Sequence, residues 1–320
     1  MPVNHPVLAG PRHAAPASPV RPRRTYLRVA SLVIAATAAL GALTAPSAAP
    51  AEAAVPKTFI GAAGDVAGLA QKARAPMAVH SYSKFDRRVP TNADMITVKT
   101  DATWGQVIAA KPGSRLYNQI AAYARGVKAL KRPVMVAYHH EPEASTSRRF
   151  GSSEQFKGAY RKVVSIFNAQ GASNVEWTWQ MTAYSFRAKA SDRRAAARWY
   201  PGNSVVDNVG GDAYSWGNCW SGGGWVSPAK LAAPVVAFAK ARGKKASLPE
   251  FGAVSDPRRA QWLRDLHKYL VQNRGVMTAA FYFNNGPKGP GINNCSWPLR
   301  TAAEFDAYGD IARNTAYFKS

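Results

Sequence analysis

The chain is short of acidic residues, of cysteine and of long apolar runs. Its 320 residues hold 18 Asp and Glu against 42 Lys and Arg, a formal charge of +24, and 2 cysteines. No apolar run reaches the roughly 20 residues that cross a bilayer, which argues against a retained anchor and against an integral span in the mature chain. No Gly/Ser linker, repeat or low-complexity tract divides the stretch beyond the N-terminal leader, so one domain is expected there. The basic surplus comes without a nucleic-acid-binding motif, and nucleic acid is not an expected partner. Two readings of that surplus stand: a solvated basic surface, or affinity for an anionic polymer or cell wall.

The leader reads as an export signal. Arg21, Arg23, Arg24 and Arg28 form a basic region, Val29 to Leu43 is apolar, and Ala51-Glu52-Ala53 is an A-x-A cleavage pattern. Residues 1–53 are therefore expected to be a signal peptide and 54–320 the mature, single-domain protein, secreted to the extracellular side. Arg23-Arg24-Thr-Tyr-Leu-Arg28 resembles a twin-arginine signal, with Tyr26 and Arg28 at the usual Phe and Lys positions; the general secretory route is the alternative. Loss of Arg12, Arg21, Arg23, Arg24, Arg28 and Glu52 with the leader lowers the charge to about +20. In an exported chain, Cys219 and Cys295, both in Gly- and Asn-rich loops, read as one disulfide, the alternative being two free thiols.

Beyond the leader, β-like apolar runs alternate with helical periodicity, the signature of a parallel sheet with crossover helices. Strands are expected near 58–63, 77–82, 94–99, 133–139, 174–180, 205–212, 246–251 and 276–283. Helices are expected over Tyr117 to Leu130, Gln155 to Asn168, Pro228 to Ala241, Asp256 to Gln272 and about Thr301 to Arg313. In the fourth of these, Asp256-Pro257 reads as an N-cap followed by proline at the first helical position. The first two connections are short and weakly helical. Eight such units fit an α/β fold of the (β/α)8 TIM-barrel type. An open doubly wound sheet would carry a Gly-rich phosphate loop after its first strand, and Gly61-Ala-Ala-Gly64-Asp is a poor version of one.

Two glutamates end apolar runs: Glu141 in Pro133-Val-Met-Val-Ala-Tyr-His-His-Glu-Pro, and Glu250 in Lys245-Ala-Ser-Leu-Pro-Glu-Phe-Gly. Ionised groups resist burial, so a carboxylate at the tip of a buried strand is costly to place. Paired carboxyls on strands four and seven suit hydrolysis of a glycosidic bond, in which one donates a proton and the other attacks or activates water. A metal site at the His139-His140 pair needs a third ligand, and none stands at metal-binding spacing, so neither metal nor cofactor is expected.

From Thr58 to about Asn285 the chain resembles family 26 glycoside hydrolases, β-mannanase-like retaining enzymes of clan A. The resemblance rests on four segments in the family's order: Tyr123-Ala-Arg-Gly-Val-Lys-Ala-Leu-Lys-Arg-Pro-Val-Met-Val-Ala-Tyr-His-His-Glu141, Gly171-Ala-Ser-Asn-Val-Glu-Trp177-Thr-Trp179, the run from Tyr200 to Tyr214, and Leu248-Pro-Glu250-Phe-Gly252. It implies that Glu141 is the general acid/base, Glu250 the nucleophile, His140 a residue that orients Glu141 or binds a sugar hydroxyl, and Tyr214 a donor to the nucleophile. Asp212 is read as a sugar contact or a support of the barrel mouth. Trp179 and Trp216 are preferred as stacking platforms, with His80 and Phe283 as further contacts, although an aromatic in a barrel is more often core than platform. The chain departs from mannan-cleaving relatives after the acid, where it reads Pro142-Glu143-Ala-Ser-Thr-Ser-Arg148-Arg149, and at Ala137 and Phe283. The expected function is a secreted retaining hydrolase of a β-linked polysaccharide, of mannan type or a related glycan, with endo-β-1,4-mannanase as one form. The alternative is a catalytically silent barrel that binds cell-wall or anionic glycan.

Overall fold

The computed structural model of the protein describes residues 59–220, 222–286 and 295–314, so the expected signal peptide lies outside the described residues. Eight parallel strands close into a barrel in sequence order: β1 (Phe59–Gly64), β2 (Ala78–Lys84), β3 (Met95–Lys99), β4 (Val134–Tyr138), β5 (Val175–Thr182), β6 (Asn208–Ser215), β7 (Lys245–Ala253) and β8 (Met277–Asn284). The helices are α1 (Val66–Ala73), α2 (Trp104–Ala109), α3 (Arg115–Lys128), α4 (Ser153–Ala169), the single turn α5 (Ala196–Trp199), α6 (Pro228–Lys240), α7 (Arg259–Gln272) and α8 (Ala302–Arg313). The expected (β/α)8 barrel is the observed fold. Between β2 and β3 there are turns and no helix, in line with the weak periodicity there. Among the described residues no helix is long and apolar enough to cross a membrane.

The strands sort their side chains between two cores. Met95, Met135, Ala137, Ala279 and Phe281 plug the barrel interior. Alternate residues such as Val136, Trp179, Val209 and Leu248 face the helices and join the larger core. Where β1 crosses β2 the backbones come so close that a Cβ on Gly61 would overlap the Ala78 carbonyl, so only glycine fits.

Local chemistry sets most helix starts. Thr103, Ser152 and Thr301 each cap a helix through a reciprocal box with the residue three positions on. The expected cap of α7 is corrected. Asp256 instead accepts from the Arg258 backbone N at 2.9 Å and from its guanidinium, making a turn before the helix begins at Arg259. The loop after β6 is joined to the segment before α8 by the Cys219–Cys295 disulfide, with Cα atoms 5.2 Å apart.

Candidate active site

Glu141 and Glu250 reach the barrel mouth by two irregularities. Around Pro249, β7 carries one residue more than the facing stretch of each neighbour: Leu248 to Phe251 spans the same interval as Ala280 to Tyr282 on β8, and Ser247 to Phe251 the same as Gly210 to Ala213 on β6. The extra residue falls at Pro249-Glu250, where proline has no N–H for the ladder. The resulting bulge lets Glu250 point inward between the outward-facing Leu248 and Phe251. At the end of β4, His139 (φ 53°) and Glu141 (φ 47°) adopt left-handed backbone that non-glycine residues seldom take. The first of these reverses the strand's alternation. His139 follows Tyr138 into the helix layer against Trp104 and Phe150, while His140 turns to the mouth beside Tyr82.

Glu250 is 7% exposed. Its Oε2 accepts from the Tyr214 hydroxyl at 2.8 Å, and its Oε1 from the Tyr82 hydroxyl at 2.7 Å and from Gln180 Nε2 at 3.4 Å. Tyr82 keeps 42% of its surface open to the cleft, but its hydroxyl end is enclosed against Glu250. Enclosure and the nearby carboxylate charge hold both phenols well above their usual range, so they remain donors.

The Glu141 and Asp212 carboxyls are close enough for each to bear on the other, and Asp212 draws Glu141 part of the way back down. Burial, then the charge of Glu250, pushes both groups well above the ordinary carboxylate range, so each favours its protonated form. Gln180 Nε2 lies 3.0 Å from each Asp212 oxygen, and Gln180 Oε1 accepts from Thr97 at 3.0 Å. His80 continues the chain, with Nε2 2.8 Å from Thr97 Oγ1 and Nδ1 3.0 Å from the Pro249 carbonyl. One polar layer thus crosses the barrel beneath the two glutamates. The loop carrying Glu141 is tied to β5 through Glu143, which accepts from Thr182 N, Thr182 Oγ1 and Ser185 Oγ at 2.7–2.8 Å.

The open space above this layer is a cavity of about 450 Å3 lined by Tyr82, Lys99, His140, Glu250, Phe283 and Asn285 among others. That lies within the roughly 300–1,000 Å3 of small-molecule sites. A larger cavity of about 740 Å3 opens outside the barrel near Lys84, Asp101 and Arg115, and none of the buried carboxyls reaches it. The buried carboxyls, not the volume, mark the site.

The match to the family model described as Glycosyl hydrolase family 26 runs over residues 85–288. The chain belongs to glycosyl hydrolase family 26. Its barrel is of the TIM type. Endoglucanase H of Acetivibrio thermocellus is 24% identical over 204 residues, 61% of this chain and 22% of that protein, so the chain spans about a fifth of that relative's length. A family 26 β-mannanase from Bacteroides ovatus superposes with a TM-score of 0.55 at 14% identity, covering 82% of this chain and 90% of that one. A modular endo-β-1,4-mannanase from Cellulomonas fimi gives 0.56 at 16% identity, covering 82% and 74%. At such identities the superpositions speak for the fold alone.

In this family 26 chain the structure brings together Glu141, Glu250, His140, Asp212, Tyr214 and Phe283 at the mouth. Two expected sugar contacts are corrected. Trp179 is 0% exposed and packs on Phe186, Tyr200 and Phe238, because strand alternation sends it outward while Thr178 and Gln180 face in. His80 is buried in the polar layer, and burial pushes it down to about 4, so it is a neutral internal partner beneath the cleft. Trp216 is half-buried at the rim, edge-on to Trp220 and Trp297, outside the cavity lining. Sequence reasoning missed Gln180, Thr97, Lys99 and the hydroxyl role of Tyr82. The signal was there: Thr97 and Lys99, like Thr178, Gln180 and Thr182, are polar at every second position of otherwise apolar strands.

Proposed function

We propose that the protein is an exported, retaining hydrolase of a β-linked polysaccharide, with Glu141 as general acid/base and Glu250 as nucleophile. One observation carries this reading: Glu250, its two oxygens held by two phenols, stands at the barrel mouth with Glu141 and Asp212, whose carboxyls are raised toward their protonated forms. In the first step Glu250 attacks the anomeric carbon while Glu141 gives its proton to the leaving glycosidic oxygen. The C–O bond to the leaving sugar breaks, and an ester joins the glycone to Glu250. In the second step Glu141, now ionised, takes a proton from water as that water attacks the same carbon, and Glu250 departs as a carboxylate. Asp212 and Gln180 hold Glu141 in place through both steps, and Tyr82 and Tyr214 orient the Glu250 oxygens.

Substrate class and location belong to the same proposal. The relatives are described as mannanases and an endoglucanase. The reading therefore extends to a backbone of β-linked mannose or glucose, cut internally. Tyr82 and Phe283 are the aromatic surfaces in the cleft on which a sugar face can rest. Export rests on the basic and apolar leader of residues 1–53, and a disulfide suits the oxidising side of a membrane.

The test is reducing-sugar release across a polysaccharide panel, with proton NMR of the first-formed anomer. Retention of the β anomer, loss of turnover in Glu250→Gln and azide rescue of Glu250→Ala are the expected results. Intact hydrolysis in Glu250→Gln overturns the nucleophile assignment, and an inverted first product overturns the double displacement.

A further inference from the structure

Lys99, the last residue of β3, points into the cleft alongside Tyr82, His140 and Glu250. It is half-buried, and none of the ion pairs among the described residues includes it. Its register neighbour Lys84 is neutralised by Asp101 at 2.6 Å, so that acid is already engaged. Asp101 is near enough for the charge of Lys99 to act on it but is held by Lys84, so the Lys99 ammonium makes no direct ion pair and is open to an anion in the cleft. His140 adds to the case. Its Nδ1 is buried without a partner, and burial and the charge of Lys99 both push the ring below its usual range. A neutral imidazole suits a sugar hydroxyl, which leaves the fixed positive charge of this wall to Lys99. Arg149 lies on the same side, with its guanidinium over the Phe150 ring, and extends the positive field across the β3–β4 rim.

We infer that the cleft takes a glycan whose sugar units carry a carboxylate, a β-linked uronic acid, and that Lys99 is the residue that reads it. The inference rests on the hydrolase reading of the same cleft and narrows its substrate. Lys99 supplies a point charge to one carboxylate oxygen, and Ser83 and Asn285, which also line the cavity, offer a hydroxyl and an amide to the other. The basic surplus of about +20 that remains without the leader acts at longer range, drawing a polyanion to the molecule before Lys99 selects the unit at the mouth.

The probes are two pairs of oligosaccharides that differ only in carboxylate against hydroxymethyl at C5. One pair is a β-1,4-linked mannuronic acid hexamer and mannohexaose; the other is a β-1,4-linked glucuronic acid hexamer and cellohexaose. Binding is measured by titration calorimetry at low and high salt on the protein carrying Glu250→Gln, so that no probe is consumed. In at least one pair the acid should bind about tenfold more tightly than its neutral partner at low salt, and the gap should narrow as salt rises. Lys99→Met should bring the ratio close to one, and Lys99→Arg should restore most of it. Equal binding within both pairs, or an equal loss on acid and neutral probes in Lys99→Met, overturns the inference and assigns Lys99 to a sugar hydroxyl. The hydrolase reading fails separately, if the unsubstituted protein releases no reducing sugar from any probe or from the polysaccharide panel.

Discussion

The two phenols on Glu250 should affect one chemical step far more than the other. Tyr214 donates to Oε2 at 2.8 Å and Tyr82 to Oε1 at 2.7 Å. In the proposed double displacement Glu250 passes from carboxylate to ester and back, and a phenol donates more strongly to the carboxylate than to the ester. A hydrogen bond to a charged group is worth ~1.5–3 kcal/mol. With about half of the charge restored as the ester breaks, each phenol contributes ~1 kcal/mol to that step, roughly fivefold in rate. Ester formation runs the other way, draining charge from Glu250, so there the same donors give orientation but oppose charge transfer. Tyr214→Phe should therefore lower kcat roughly fivefold on aryl β-oligosaccharides with a good leaving group, where ester breakdown limits the rate, and KM should fall with it. A larger pre-steady-state burst should appear. Tyr82→Phe should do the same, and the double variant should lose roughly 25-fold if the two act independently. An unchanged kcat, or a kcat that falls at constant KM without a burst, refutes the reasoning and reduces the phenols to orientation alone.

Further outcomes are expected at Glu141, at the disulfide and at Arg259. Glu141→Gln should lower turnover of unactivated glycosides by roughly 10²–10⁴ and spare substrates whose leaving group needs no proton. Burial and neighbouring carboxylates raise Glu141 above the ordinary carboxylate range, so the alkaline limb of kcat/KM should lie above that range in the parent and vanish in the variant. The same shift has a stability consequence. A carboxyl raised on folding favours the folded state below its unfolded value and loses that contribution as pH climbs through the folded value. Urea midpoints should therefore fall less toward neutral pH in Glu141→Gln, and an unaltered pH slope would contradict this. Removing the disulfide as Cys219→Ser/Cys295→Ser opens a loop of sequence separation 76. Denaturant titration should show a loss of ~4.5 kcal/mol in the chain-entropy account, and a loss near zero would rule that account out. Arg259 is buried and bidentate to Glu304 at 2.8 and 2.9 Å, and it also donates to carbonyls at Ser296, Trp297 and Pro298. Arg259→Met should cost ~3–5 kcal/mol and Arg259→Met/Glu304→Leu less, whereas additive losses would mean that the pair is not coupled.

Local pattern was enough for the barrel because each strand and helix announces its own period. The expected strands overlap all eight observed ones, and the largest displacement is in β6, expected at 205–212 and found at Asn208–Ser215. Val205 and Val206 prolong the apolar run there, but ladder pairing with β5 starts only at Asn208. The Asp256 cap failed for a similar reason: its carboxylate found the Arg258 guanidinium two residues on, and that local pairing competes with capping. Trp179 shows the limit of reading a segment without its faces. The alternation of Val175-Glu-Trp-Thr-Trp-Gln-Met-Thr182 is plain, but which of its two faces lines the barrel follows from the register with β4 and β6.

The site divides in the same way. Residue type and position along the chain determined that Glu141 and Glu250 would belong to the fourth and seventh strand segments, the structure placing Glu141 just past β4 and Glu250 within β7, and that the cysteines would form an even pair in loops. Those are properties of short segments and of composition. The tertiary structure alone decided that Glu141 and Asp212 meet at the mouth, that Tyr82 is a donor to Glu250 from the far side of it, and that Lys99 stands in the cleft outside the ion pairs of the described residues. Each of those depends on distances between strands remote in sequence. The bulge at Pro249-Glu250 and the left-handed turn at His139 set those distances, and both exist only where neighbouring strands hold them.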